Sequence, residues 1–300
     1  MRHSGQIEIA SAGVFYGTVT VGASLLSRNG VSVLAISFYF LAFSLIILAP
    51  FALKKGFSNR VRSASKFLLA YGLIGAFLVL SQFVSLSLGV SPAITALLLY
   101  TQPVWTVLFG RLFFSEKIDF PRIGVITLAL AGALLISNPF SQTARSNLQG
   151  TVLTGEIVAL LGGVFLSGWI ILGKKARMGN FRDPAELTFA ARGSTLVYIA
   201  AISGAAILLG RGSLFAGASI SYVNLTYLFI FSIVAGVLPD YLFYRGIEKV
   251  GPVQAGVILL LEPVSASVLS AFLLISNTGI FQLVGGALIL LSNYLVIKSE

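Results

Sequence analysis

The chain of 300 residues has no cysteine, and its one histidine is His3. Without thiolates it can form no disulfide and no cysteine-ligated metal site, and a lone histidine excludes a histidine cluster. Most of the chemistry on which membrane enzymes depend is therefore excluded. We expect no catalytic residue, no metal and no cofactor, and we predict that the protein is not an enzyme.

Charge is also scarce. Charged residues make up 10% of the chain against about 25% in soluble domains, whereas apolar residues reach 57% against about 45–50%. The mean hydropathy is +0.96. A soluble fold with so few charges could not cover its own surface, so lipid is the expected solvent for most of the chain. The composition predicts an all-α membrane protein.

Ten apolar stretches are long enough to cross a bilayer, which takes about 20 residues per helix. The connections between them are short, and none resembles a soluble domain. We predict ten transmembrane helices at 9–27, 32–53, 66–88, 92–114, 121–138, 152–173, 185–209, 222–246, 252–275 and 279–297.

The 20 Lys and Arg residues indicate the orientation. With the N-terminus in the cytoplasm, 16 of them lie on the inner side and 3 on the outer side, while Arg192 lies inside a span. This excess follows the positive-inside rule, so we predict that both termini are cytoplasmic. The net charge of +10 is then explained by an anionic inner leaflet and not by nucleic acid. We expect an integral protein of the cytoplasmic (inner) membrane of a prokaryote, surrounded by lipid.

The chain also repeats itself. Residue n of the first half matches residue n + 160 of the second: Phe83 matches Phe243, Pro92 matches Pro252, and the Pro-Val pair at 103–104 matches that at 263–264. We predict two five-helix repeats, 1–148 and 149–300, in one integrated membrane domain. Because five is odd, the second copy must enter the membrane in the opposite sense. Inverted repeats of this kind are typical of secondary transporters, whose substrate site lies near the bilayer midplane at the repeat interface.

Two motifs resemble a known family. The run 100–104 (YTQPV), followed by Glu116-Lys117, resembles helices 4 and 5 of the EamA family in the drug/metabolite transporter superfamily, and 261–264 (LEPV) resembles its ninth-helix motif. The resemblance implies ten helices and a central cavity lined mainly by helices 1, 3, 4, 6, 8 and 9. It also implies, as is usual in the family, export of amino acids or related metabolites.

Glu262 is the first candidate for a coupling residue. It lies about ten residues, or about 15 Å, into the ninth span and therefore near the bilayer centre. A carboxylate at this depth is costly and by default functional, which suits a proton carrier. The alternative is a protonated Glu262 that bonds a neighbouring helix. Pro263, which cannot donate a backbone hydrogen bond, is expected to break the helix and free a carbonyl one turn earlier, and Pro103 is its repeat mate.

Arg192 and Asp240 form the second candidate pair. Each lies about seven residues from the cytoplasmic end of its span, or about 10 Å deep. An unpaired charge at that depth is costly, so we expect the two to pair or to share a water-filled vestibule. A structural salt bridge and a role in substrate binding or gating both remain open. Pro239 adds a possible helix break beside Asp240, which is also the second candidate for the proton site.

Further polar or amphipathic side chains lie well inside the spans. Leu99, Gln102 and Thr106 share one face of the fourth helix by their spacing. The full set predicted to line the cavity is Tyr16, Gln82, Leu99, Gln102, Thr106, Trp169, Asp240 and Glu262. Apolar walls with few polar groups suit a neutral or zwitterionic substrate. The absence of an intramembrane cluster of Lys and Arg argues against phosphorylated sugars and nucleotides.

The sequence thus favours a secondary transporter that exports amino acids or related small metabolites by alternating access. If transport is coupled to an ion, a proton at Glu262 is the expected partner. The first alternative is an importer, or an exporter of hydrophobic cations. More remote alternatives are an enzyme based on a carboxylate pair, a non-transporting scaffold and a lipid scramblase.

Overall fold

The structure is a computed structural model that describes residues 2–88, 90, 95, 98–115, 120–137, 150–210, 221–273 and 279–298. The regular elements within these ranges are all helical. They are α1 (Arg2–Arg28), α2 (Val33–Ala52), α3 (Phe57–Ser63), α4 (Ser65–Ser87), α5 (Gln102–Phe114), α6 (Phe120–Ser137), α7 (Gly150–Met178), α8 (Pro184–Leu208), α9 (Tyr222–Phe231), a π-helical segment (Ser232–Val237), α10 (Leu238–Ile247), α11 (Pro252–Ile258), α12 (Leu261–Leu273) and α13 (Ile280–Lys298).

Helical segments lie within each of the ten predicted spans. Five of them are long and apolar enough to cross a membrane by themselves: Leu34–Ala52, Ser65–Gln82, Val152–Met178, Tyr222–Ile247 and Pro252–Leu273. Two shorter apolar helices, Ile123–Leu135 and Leu283–Leu295, accompany them. The prediction of an all-helical membrane protein is confirmed at this level. The count of ten crossings and the side of the two termini remain predictions.

Local sequence explains where several helices begin. The side chains of Ser32, Asp183 and Ser221 precede α2, α8 and α9, and each accepts a hydrogen bond from a backbone N–H of the first turn. Pro184 follows Asp183 as the first residue of α8, a position where its missing N–H costs nothing. These caps satisfy donors that would otherwise be left open at a helix end.

The helices pack mostly across the two halves of the chain. α1 packs on α10 and α12, α4 and α5 pack on α7, α2 and α4 pack on α8, and α6 packs on α13. In the repeat, α1 corresponds to α7, α2 to α8 and α5 to α12. When each helix is replaced by its counterpart, the contact between α1 and α12 becomes the contact between α7 and α5, and the contact between α2 and α8 is unchanged. The bundle is therefore built as two similar halves that interlock.

Polarity is inverted relative to a soluble bundle. Large apolar side chains such as Leu112, Leu208 and Phe272 are 73%, 88% and 79% exposed, whereas Arg192 and Asp240 are buried. An apolar exterior that covers buried charges is stable in lipid and would aggregate in water.

Close helix contact near the centre depends on glycine. A Cβ atom added at Gly17 on α1 would lie 1.8 Å from the Ser265 Oγ and 2.9 Å from the Glu262 backbone oxygen on α12. The Ser265 hydroxyl donates a hydrogen bond of 2.9 Å to the Val14 carbonyl across the same interface. The small residue lets α1 approach the turn of backbone that carries Glu262.

Candidate functional site

A central cavity of about 180 Å³ lies between the two halves and is lined by residues of both. Seven of the eight side chains predicted to line a cavity lie on its wall: Tyr16, Gln82, Leu99, Gln102, Trp169, Asp240 and Glu262. The eighth, Thr106, lies behind Gln102, and its hydroxyl donates to the Gln102 backbone oxygen at 2.9 Å. Apolar side chains such as Leu78, Val79 and Leu166 form the rest of the wall.

The second and seventh of the ten predicted spans, which are α2 and α8, also contribute to the cavity wall, in addition to the helices that the family resemblance implied. Phe40 and Leu41 of α2 line the cavity, as do Ala191, Arg192 and Thr195 of α8. Of these only Arg192 was singled out from the sequence, as a coupling residue. Phe40, Leu41 and Ala191 carry no sequence signal, because an apolar residue that faces a cavity resembles one that faces lipid, and Thr195 was not singled out.

Two broken helices meet at the cavity. The fourth span has a turn at 100–101 before α5, and the ninth has a turn at 259–260 between α11 and α12. Pro103 and Pro263 lie 160 residues apart, and each follows its turn within three residues. In the second turn the Glu262 N–H donates to the Leu259 carbonyl at 2.9 Å, so that carbonyl is not left free as the sequence predicted.

The carbonyl freed by the second turn belongs to Gly256. Leu260 N–H donates to Val257 O at 3.1 Å, three residues back instead of four. Gly256 O instead accepts a hydrogen bond of 2.5 Å from the side-chain amide of Gln102, on the other broken helix. This side chain satisfies a buried acceptor and joins the two repeats at their break points.

Glu262, the repeat mate of Gln102, faces the cavity instead of bonding the opposite backbone. The Tyr100 hydroxyl forms a side-chain hydrogen bond with its carboxylate. Among the described residues no cation pairs with Glu262. The two repeats are thus asymmetric at this position, with an amide that closes the backbone in one and an ionisable group in the other.

Arg192 and Asp240 form an ion pair on the cavity wall. The Arg192 Nε donates to Asp240 Oδ2 at 2.8 Å, and both side chains are 8% exposed. The Tyr16 hydroxyl donates to Asp240 Oδ1 at 2.6 Å, and Arg192 Nη1 donates to the Ser44 Oγ at 3.0 Å. The pair therefore connects α1, α2, α8 and α10.

The backbone beside Asp240 is a π-helical segment, Ser232–Val237, where the sequence predicted a break at Pro239. Pro239 has no N–H to donate four residues back, and Leu238 N–H donates to Ile233 O, five residues back. A Cβ atom added at Gly236, inside the segment, would lie 2.9 Å from Arg192 Nη1. The guanidinium therefore lies against bare backbone, which fits the tendency of such segments to occur at functional sites.

An aromatic layer lies between the cavity and one end of the bundle. Trp169 stacks on Phe243 with ring centroids 4.5 Å apart, and the Tyr71 and Tyr244 hydroxyls share a hydrogen bond of 2.6 Å. Phe243 and Tyr244 are 0% exposed and Tyr71 is 1% exposed. Trp169 itself lines the cavity, and Tyr71, Phe243 and Tyr244 lie, along their helices, between cavity-lining positions and the ends rich in Lys and Arg. We call this layer the aromatic floor.

Beyond the aromatic floor, ion pairs join the two halves at what we call the basic end, which the sequence predicts to be cytoplasmic. Glu8 of α1 accepts from both Arg245 and Lys249 at 2.9 Å. Arg60 of α3 pairs with Glu186 of α8 through three hydrogen bonds of 2.8–3.1 Å.

Two further pairs lie at the basic end. Arg177 pairs with Glu248 within the second half, and Lys54 pairs with Asp183 across the halves. Burial acts to raise the pKa of the Asp183 carboxyl, but hydrogen bonds from Lys54 and the Ala185 backbone outweigh it and hold the pKa below its ordinary value. The same bond raises the pKa of Lys54.

Within the described ranges no three acidic or histidine side chains lie together in a way that could hold a metal ion. What the site offers is a guanidinium, two carboxylates and an apolar wall, a set suited to binding and poor in nucleophiles.

Comparisons with known proteins agree with this arrangement. The sequence model of the EamA-like transporter family matches residues 3–138 and again residues 153–298. A protein of Archaeoglobus fulgidus described as an uncharacterized transporter is 25% identical over 290 residues, which cover 97% of this chain and 94% of that protein. A solved crystal structure superposes with a TM-score of 0.77 at 17% identity and covers 98% of this chain and 96% of its own. At that identity the likeness shows a shared fold.

Proposed function

The chain belongs to the EamA-like transporter family, and from that premise we propose that it is a secondary transporter whose two inverted halves alternate the access of the central cavity. The cavity carries the proposal, because it lies between the halves where both broken helices meet. Two observations support the inverted repeat. One family model matches the chain twice, and the contacts between helices are preserved when the halves are exchanged.

The substrate class that suits the wall is an amino acid or a similar small zwitterion, and the proposed direction is export. Leu78, Val79 and Trp169 supply apolar surface, while Arg192 and Glu262 offer one cationic and one anionic group. Small-molecule sites commonly combine an apolar wall with a few polar groups that fix orientation.

Glu262 is the proposed proton site. Its carboxylate faces the cavity, and the Tyr100 hydroxyl can remain bonded to it in either protonation state. A carboxylate without a described cation partner is free to exchange a proton when the cavity changes sides. Asp240 is less suited to this role, because it is held by Arg192.

The experiment is efflux from proteoliposomes loaded with a labelled amino-acid mixture, with and without a pH gradient. We expect wild-type efflux to saturate and to rise several-fold with the gradient, and Glu262→Gln to be insensitive to it. Glu156→Gln is the matched control, since Glu156 lies on α7 but does not line the cavity. Gradient-dependent efflux by Glu262→Gln would exclude Glu262 as the proton site and leave the transporter standing.

A second candidate function is export of hydrophobic cations, which the Glu262 carboxylate among apolar side chains favours. The same vesicles loaded with a cationic dye separate the two. Dye efflux that competes with no amino acid would favour the cation exporter, and flux only into the vesicles would favour an importer. Absence of saturable flux for every solute would favour a scaffold or scramblase.

A further inference from the structure

We propose that Arg192 binds the carboxylate of the substrate, and that Asp240 and Tyr16 are the positioning residues that hold the guanidinium ready for it. This inference rests on the proposed transport function and specifies its substrate class as a monocarboxylate. The observation that carries it is a guanidinium held from three sides on the wall of the cavity, with one nitrogen for which the described part of the chain supplies no acceptor.

Arg192 uses only part of its hydrogen-bonding capacity. Nε donates to Asp240 and Nη1 to Ser44, whereas no described residue accepts a hydrogen bond from Nη2. A guanidinium has five N–H donors in a fixed plane. Since Arg192 lines the cavity, the remaining donors can bond a carboxylate that enters it.

The plane of the guanidinium is fixed by its neighbours. Arg192 Cζ lies 4.7 Å from the centre of the Phe40 ring, a cation–π contact. Nη1 also lies against the backbone of Gly236, where any side chain would collide with it. A group held in this way loses little entropy when a ligand binds, so it is prepared to bind and does not merely fill space.

Asp240 does not depend on Arg192 alone. Its Oδ1 accepts a hydrogen bond of 2.6 Å from Tyr16, so the carboxylate keeps a donor when Arg192 shares its N–H groups with a second anion. Tyr16 also contacts Trp169 edge to face, at 6.4 Å between ring centroids. The residue that keeps Asp240 satisfied is thus part of the same wall.

The number of cations on the cavity wall limits the charge of the anion that the cavity can bind. Arg192 is the only Lys or Arg among the described residues of the lining. A phosphate dianion is ordinarily bound by several cations, whereas one guanidinium matches one carboxylate in a bidentate pair. A buried ion pair is in itself weak evidence for stability, which leaves ligand binding as the better reason for its cost.

The test compares three related solutes in proteoliposomes: the amino acid with the largest wild-type flux, its amide and its decarboxylated amine. In Arg192→Gln/Asp240→Asn, which removes both charges, we expect the KM of the acid to rise about 10- to 100-fold. The KM of the amide and the amine should change less than about threefold. Glu156→Gln, at a residue that does not line the cavity, should leave all three values unchanged.

A second variant keeps both charges. Gly236→Ala places a methyl group against both Arg192 Nη1 and the Phe40 ring, so it should raise the KM of the acid more than that of the amide. Equal losses for acid and amide in both variants, or an unchanged acid, would overturn the role of Arg192 while transport itself stands. Absence of saturable flux for every solute in the wild type would overturn the proposed function and this inference together.

Discussion

Two regions of the molecule use ion pairs in opposite ways. In the cavity, Arg192 and Asp240 are each 8% exposed and are bonded by neutral groups from other helices. At the basic end, Arg60 is 34% exposed and Arg245 is 54% exposed where they pair with Glu186 and Glu8. Both regions join the two halves of the chain, but only in the cavity are both members of a pair buried. At the basic end each of the described pairs keeps a partner whose side chain is at least 30% exposed.

The difference indicates what each region is for. Partly exposed pairs cost little to form and little to break, which suits the opening that the proposed alternating-access mechanism requires at this end. A buried pair costs several kcal/mol in desolvation for each ion and regains it only with good geometry, so its retention points to a ligand. The aromatic floor lies between the two regions.

The largest expected effect comes from breaking the cavity pair on one side. Asp240→Asn should lower the free energy of unfolding by about 3–5 kcal/mol, because it leaves Arg192 buried without an anion. Arg192→Gln/Asp240→Asn should recover most of this loss. Thermal unfolding in detergent measures both. A double variant no more stable than the single one would contradict the explanation by an unpaired charge.

The sequence predicted the site best where a charged residue lies in an apolar span, because burying a charge there costs free energy. Glu262, Asp240 and Arg192 stand out because a charge within an apolar span needs a reason, and all three lie on the cavity wall. The spans themselves follow from hydropathy, and the turns lie just before Pro103 and Pro263, residues that disfavour a continuous helix.

What the sequence could not supply depends on side-chain neighbours across the bundle. Phe40 was not predicted, since its apolar ring could equally face lipid. Thr106 has the right spacing, yet it bonds Gln102 instead of facing the cavity. The π-helical segment and the bond from Gln102 to the Gly256 carbonyl arise only when distant helices meet.

A smaller effect on stability is expected at the basic end, where a variant tests whether the partly exposed pairs hold the two halves together. Glu8→Gln removes the shared acceptor of Arg245 and Lys249, so it should cost about 1 kcal/mol, less at high salt. It should also change the rate of flux, because it loosens the contact between the halves.

Glu248→Gln provides the contrast, because its partner Arg177 belongs to the same half and keeps hydrogen bonds to the Tyr244 and Phe181 carbonyls. Flux measured in proteoliposomes at low and high salt should respond to Glu8→Gln and not to Glu248→Gln. Equal responses would show that joining the halves is not what matters at this end.

The smallest effect concerns pH at the pair of Lys54 and Asp183. The Asp183 pKa is lowered, so the carboxylate stabilises the fold above the ordinary value of 3.8, and this contribution is lost as the pH falls through the lowered pKa. The Lys54 pKa is raised, so its contribution is complete below 10.5 and is lost as the pH rises through the raised pKa. Between about pH 5 and pH 9 the pair should therefore contribute a constant amount.

Lys54→Met should accordingly shift the melting temperature slightly and by the same amount at pH 5, 7 and 9. A shift that varies across this window would show that the pair titrates within it. If the shift is constant, any pH dependence of flux in the window must come from another group. Flux of Lys54→Met should then follow the pH profile of the wild type, whereas Lys54→Met/Glu262→Gln should lose that profile, which assigns the pH response to the cavity and not to the basic end.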